Sequence, residues 1–165
     1  MAENSSNTAS GSYRSGVKRL IIMRHAEADW GLNDFDRPLT KRGHEQAAAA
    51  GAWLAARGYI PEQIMSSSAL RTRQTTTWVS DGLGAKAPTA HLDEGLYEVS
   101  ASRIIARINS VSENVHSLMV VSHLPGVQDA AQRLMSPDSD PNASMDVYYG
   151  CLLYTSPSPR DVEES

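Results

Sequence analysis

The sequence predicts an α/β fold with a largely parallel sheet covered by helices on both faces. Two observations predict it. Short apolar or β-rich runs alternate with longer stretches of helix formers over most of the chain, the order expected when each strand is followed by a crossover helix. The clearest runs, "LIIM" and "LMVV", are unbroken rather than alternating, as strands buried on both faces are.

The elements follow in order. Leu20 to Met23 is a buried strand that runs directly into Arg24 and His25. After a polar loop through "RPLT", Thr40 stands as an N-cap for a helix that ends at Gly58, a natural residue for a left-handed helix terminus. Gln63 to Ser68 is a short strand entering a Ser-rich turn, and Ala69 to Gly82 a second helix packed through Leu70, Trp78 and Val79. Thr89 to Glu94 is expected as a further strand. "SASRIIARINSVS" carries Ile104, Ile105 and Ile108 at helical spacing. Ser117 to His123 is the clearest strand, and "GVQDAAQRLM" the helix after it. "MDVYYGCLLYT" is β-rich and alternates loosely.

Composition narrows the classes. With 165 residues, 41% hydrophobic and 21% charged, the chain suits one domain with one sizeable core. The net charge of -4 argues against a nucleic-acid binder. The single cysteine, Cys151, allows no intrachain disulfide and is expected as a small buried hydrophobe. No apolar run approaches the ~20 residues a bilayer span needs, and the Ser- and Asn-rich start lacks the apolar segment of a signal peptide. The expectation is a cytoplasmic protein with a disordered leader at 1–16, a domain at 17–154 and a disordered or non-native tail at 155–165.

In an open parallel sheet, sites form at the carboxyl edge of the strands. Two predicted strands deliver histidines there, His25 and His123. A third brings Arg71 onto the first turn of a helix, and a fourth leads to Glu94. With Arg24, these residues supply the parts of a phosphoryl-transfer site. Two guanidinium groups clamp the oxygens and offset their charge. One imidazole is a nucleophile, the other a hydrogen-bond donor, and a carboxyl group handles the proton of the leaving atom. No metal or cofactor is required. A metal site built from His25, Glu27, Asp29 and His123 is the rival arrangement, disfavoured because the arginines would repel a cation at the same spot.

Four segments in order carry a family resemblance: "RHAEADW", "SSSALRTRQT", "LDEGLY" and "VVSHLPGV". They resemble the motifs of the histidine phosphatase, or phosphoglycerate mutase-like, superfamily over roughly Lys18 to Tyr149. The short length, "DRPLTKRG" and "SHLPGV" are similar to its small SixA-type phosphohistidine phosphatase branch. The resemblance implies a three-layer α/β/α sandwich. It also implies a metal-independent phosphatase in which His25 becomes phosphohistidine, Arg24, Arg71 and His123 hold the phosphoryl group, and Glu94 donates the proton. Asn33 and Arg37 are further candidates for substrate contact, Arg37 with a competing pairing to Asp34 or Asp36. The chain departs from the family in having Ala26 where a glycine is usual and Gly31 where many members have Asn. The implied partner is a phosphohistidine protein, with a small phosphoester as the alternative substrate and a non-catalytic phospho-ligand module as the alternative class. A monomer with no nucleic-acid or membrane partner is expected.

Overall fold

The computed structural model describes residues 19–31, 33–134, 144–148 and 151–157; the expected leader and residues 158–165 lie outside them. Strands β1 (Arg19–Arg24), β2 (Gln63–Ser67), β3 (Ala90–Asp93), β4 (Ser117–Ser122), β5 (Ser144–Tyr148) and β6 (Cys151–Pro157) form one sheet in the order β3-β2-β4-β1-β6-β5. The first four run parallel, and β6 pairs antiparallel with both β1 and β5. The helices are α1 (Lys41–Ala56), α2 (Leu70–Leu83), α3 (Ala101–Asn109) and α4 (Gly126–Leu134). Strand β6 continues to Pro157, so residues 155–157, expected in the tail, pair instead with the first residues of β1.

The unbroken apolar strands have the reason the sequence implied. In β1, Leu20 and Ile22 face one side with Leu118 and Val120 of β4, packed on Ile104 and Ile108 of α3 and Val127 and Ala131 of α4. Ile21 and Met23 face the other side with Met119 and Val121, against Ala47 and Leu54 of α1 and Val79 and Leu83 of α2. The period of two divides one apolar run between two cores, giving the expected three-layer α/β/α sandwich.

Local signals hold at the helix ends. The Thr40 hydroxyl accepts from the Gly43 N–H at 2.9 Å, and Ser100 caps α3 in the same way at 3.3 Å. Gly58 has φ 74, the left-handed conformation glycine adopts without steric cost. One expectation fails: Trp78 is not a core residue. It lies on the outer side of α2, its ring stacked on His44 of α1 at 4.9 Å between centroids.

Helices α1 and α2 meet at backbone distance. A Cβ built on Gly51 would lie 2.1 Å from the Val79 carbonyl oxygen, and one on Gly82 2.1 Å from that of Ala48. Gly43 is equally tight against the Glu27 carbonyl, which seats the first turn of α1 on the loop after β1.

Candidate active site

Strands β1 and β4 are neighbours, yet the helices nearest their carboxyl ends in sequence, α1 and α4, lie on opposite faces. Such a switch point opens a crevice at the strand ends. Arg24 is paired with Ser122, and the His25 N–H donates to the Ser122 carbonyl at 3.1 Å, so the next residue on each strand is a histidine. The two rings lie 5.5 Å apart. The sequence could not tell that these strands are adjacent; the sheet order does.

His25 has a defined tautomer. Its Nδ1 is 2.7 Å from the Ala26 carbonyl oxygen, which can only accept, so Nδ1 carries the proton and Nε2 the lone pair. The backbone here is tied down: the Ala26 N–H donates to Thr75 Oγ1 at 3.0 Å, and the same hydroxyl donates to the Arg71 carbonyl at 2.7 Å. Thr75 thus links the loop after β1 to the start of α2. Gln46 Oε1 adds a second tie, accepting from the Glu27 N–H at 2.9 Å. Ala26 is fully buried at the position where the family usually has glycine. Burial, with Arg71, Arg24 and Arg37 nearby, lowers the His25 pKa to about 4, so the ring is neutral at pH 7.

His123 is buried, with Nε2 2.8 Å from Ser67 Oγ at the end of β2. That oxygen also lies 3.3 Å from the Ala69 N–H, whose bond it accepts. Burial, then the charge of Arg71, lowers the His123 pKa to about 3. Among the described residues, His123 Nδ1 and Arg71 Nε are buried with no hydrogen-bond partner.

Arg71 is 3% exposed, on the first turn of α2 as predicted. Its Nη1 donates to the Asp34 carbonyl at 2.6 Å and its Nη2 to Asp34 Oδ2 at 3.1 Å. Glu98 Oε2 is 3.8 Å from the same Nη2. Tyr97 donates its hydroxyl to Asp34 Oδ2 at 2.5 Å, and the edge of its ring meets His123, 5.3 Å between centroids. The Tyr97 hydrogen bond, with the two arginines, holds the Asp34 carboxyl well below the usual carboxylate range.

The other candidates divide. Arg24 ends β1 beside His25 and contributes to its electrostatics. Arg37 pairs with Asp34 at 3.2 Å, donates Nε to the Asp29 carbonyl at 2.8 Å, and lies under the Trp30 ring at 4.7 Å. Asn33 is turned to local work: its side chain accepts from Phe35 N–H and caps the single 3-10 turn at Asp34–Asp36. Glu94 is exposed at the start of another 3-10 turn, Glu94–Leu96; among the described polar contacts of the site, the carboxylates at Arg71 are Asp34 and Glu98. Sequence reasoning missed Ser67, Thr75, Tyr97 and Glu98. Ser67, Thr75 and Tyr97 stood in quoted motifs, at the Ser-rich strand end, in the Gln-Thr pair and at the end of "LDEGLY", but none was given a role; Glu98 stood in none. No group of three or more His, Cys, Asp or Glu among the described residues is arranged to hold a metal ion.

Residues 20–124 match the sequence profile of the histidine phosphatase superfamily (branch 1). An uncharacterized protein of Mycobacterium tuberculosis is 40% identical over 105 residues, 62% of this chain and 63% of its own length. The chain therefore spans less than two thirds of that relative. The phosphohistidine phosphatase SixA of Escherichia coli K12 is 29% identical over 125 residues, 74% of this chain and 78% of the other. The solved structure of a protein histidine phosphatase SixA complexed with tungstate superposes with a TM-score of 0.68 at 26% identity, covering 87% of this chain and 99% of that one.

Proposed function

The chain belongs to the histidine phosphatase superfamily, branch 1, and from that membership we propose that it removes a phosphoryl group from phosphohistidine on a protein, without a metal ion, through its own phosphohistidine at His25. The observation that carries this reading is the His25 tautomer. With Nδ1–H committed to the Ala26 carbonyl, the Nε2 lone pair is the free one, and the low pKa keeps it unprotonated at neutral pH.

The steps follow from the groups present. His25 Nε2 attacks phosphorus in line; the new P–N bond forms as the bond to the substrate's leaving nitrogen breaks. Arg71, with Arg24 at the head of the same crevice, offsets the charge on the equatorial oxygens. Ser67 Oγ accepts the Ala69 N–H, which leaves its own proton available to His123 Nε2. In the tautomer we propose, His123 carries its proton on Nδ1, a buried nitrogen that then donates to a phosphoryl oxygen. A carboxyl at the mouth protonates the leaving group and then takes a proton from water, which attacks phosphorus and frees His25 and phosphate. Glu94 and Glu98 are the two carboxylates we consider for this role.

A protein substrate is supported by the likeness to SixA and by the rim of the site. Trp30 is 85% exposed over Arg37, and Leu124, next to His123, is also exposed. The test is turnover of a phosphohistidine protein and of p-nitrophenyl phosphate in excess chelator. We expect hydrolysis of both, faster on the phosphohistidine protein, an acid-labile phosphoenzyme by intact mass, and background rates in His25→Ala. Chelator-sensitive turnover, or a phosphoenzyme that forms in His25→Ala, overturns the mechanism. A preference for the small ester overturns the substrate assignment.

A further inference from the structure

One of the protein's own carboxylates sits on the arginine the substrate needs. Four hydrogen bonds from side chains converge on Asp34: Arg71 Nη1 to its carbonyl, Arg71 Nη2 and the Tyr97 hydroxyl to Oδ2, and Arg37 Nη1 to Oδ1. The partnership is lopsided. The Arg71 side chain is 4% exposed, while that of Asp34 is 44% exposed. A guanidinium that deep needs a countercharge. Its own countercharge comes from the solvent side, on a single 3-10 turn that packs no buried residue of its own.

The donor set is also larger than a carboxylate can use. Asp34 satisfies both Arg71 Nη groups and the Tyr97 hydroxyl, yet Arg71 Nε and His123 Nδ1 stay buried without partners among the described residues. A carboxylate offers two coplanar oxygens. A phosphoryl group offers three in a pyramid and carries more charge, so it can engage donors that a flat anion leaves over. Tyr97 lies between the two halves of this set. Its hydroxyl is on Asp34, its ring edge is against His123, and its ring centroid is 5.9 Å from the Arg71 guanidinium carbon.

We propose that Asp34 is a resident stand-in for the substrate's phosphoryl group, displaced from Arg71 by the incoming oxyanion, and that Tyr97 then becomes a substrate-binding hydroxyl. This rests on the reading of the crevice as a phosphoryl site. In the free protein Asp34 neutralises Arg71. It also competes with every anion that enters, so singly charged or flat anions gain little, whereas a phosphoryl group outbids the carboxylate. Displacement frees the Asp34–Asp36 turn, and with it Arg37 and the Trp30 ring that Arg37 supports, so the rim responds to occupancy.

The experiment is calorimetric titration of the purified chain with orthovanadate, alongside thermal melts with and without it. Asp34→Ala is expected to bind vanadate roughly tenfold or more tightly than the parent chain, because one charge-assisted competitor is gone. Its melting temperature should fall without vanadate and rejoin the parent's at saturation. Within that background, Tyr97→Phe should weaken vanadate binding by about tenfold, since the hydroxyl then has no Asp34 partner to lose. Asp34→Asn, which keeps the shape and removes the charge, serves if the alanine variant does not fold, and the same tightening is expected. Unchanged or weaker vanadate binding in a folded Asp34 variant overturns the stand-in. An unchanged affinity on adding Tyr97→Phe overturns the role of the hydroxyl. Turnover without tightening leaves the phosphatase reading intact and ends this one; tightening without turnover does the reverse; no vanadate binding by any form ends both.

Discussion

At the scale of single residues, the two histidines make the site's pH behaviour calculable in sign. Both have folded pKa values below the ordinary 6.5, His25 at about 4 and His123 at about 3, with burial the main cause. Between those values and 6.5 the unfolded chain takes up protons that the folded chain refuses. Stability therefore falls as pH drops through that window. Asp34 acts in the same direction lower down, because its carboxylate is favoured by the fold and stability is lost as it protonates. The expected outcome is a melting temperature that declines steadily below pH 6.5. The acid limb of kcat/KM should have its midpoint near 4; a midpoint near 6.5 in the free enzyme would show that His25 is not buried as described. Thr75→Val tests the tie behind His25. It strands the buried Ala26 N–H, a cost of about 1–3 kcal/mol, and the loss should appear in both chemical denaturation and kcat. The proton donor can be separated by Glu94→Gln and Glu98→Gln: the true donor loses roughly 10²- to 10⁴-fold on an ester substrate. The smaller loss belongs on phosphohistidine, whose imidazole leaves more easily. Glu98 adds a conformational signature, since its φ of 48 is the rare left-handed region for a side-chain-bearing residue, a strain that clusters at functional sites.

At the scale of elements, packing and propensity pull in opposite directions at Gly51. Alanine in a helix interior is favoured over glycine by up to about 1 kcal/mol. Here its methyl would meet the Val79 carbonyl oxygen at 2.1 Å, and that atom is backbone. Helices α1 and α2 must part to admit it, so Gly51→Ala is expected to destabilise by about 1–3 kcal/mol, read as a lower urea midpoint at unchanged slope. The close contact also explains which element features were legible. Composition and apolar spacing, with a capping residue at each end of α1, located the four described helices, because those signals are local. What failed at Trp78 was the assumption that a large apolar residue in a helix faces the core. With the α1–α2 interface lined by glycine and alanine, the indole has no room inside and lies across His44 instead. The pairing of Asp34 with Arg37 was anticipated, but the meeting of Asp34 with Tyr97 was not, for a related reason. Their meeting depends on the path of a loop and the end of a distant strand, 63 residues apart in sequence, and no spacing rule connects them.

At the scale of the whole molecule, the motifs named the strand-end residues while the sheet order explains why they converge. Alternation of strand and helix foretold a parallel sheet, but not that β1 would lie between β4 and β6. That position has a testable cost. A chain ending at Gly150 loses β6 and leaves one edge of β1 unpaired. Exposed edges of apolar strands template aggregation, so this truncation is expected to elute as soluble aggregate in gel filtration and to lose cooperative melting. The same arrangement bears on how the protein is made. β1 leaves the ribosome first among the described strands, and both of its neighbours come much later, β4 almost a hundred residues on and β6 after that. Until they arrive, the most apolar segment of the chain has nowhere to go, and pairings of such long sequence separation close slowly. His25, the proposed nucleophile, is thus translated almost a hundred residues ahead of the strand that delivers its partner imidazole, and the pair exists only once that strand has joined the sheet.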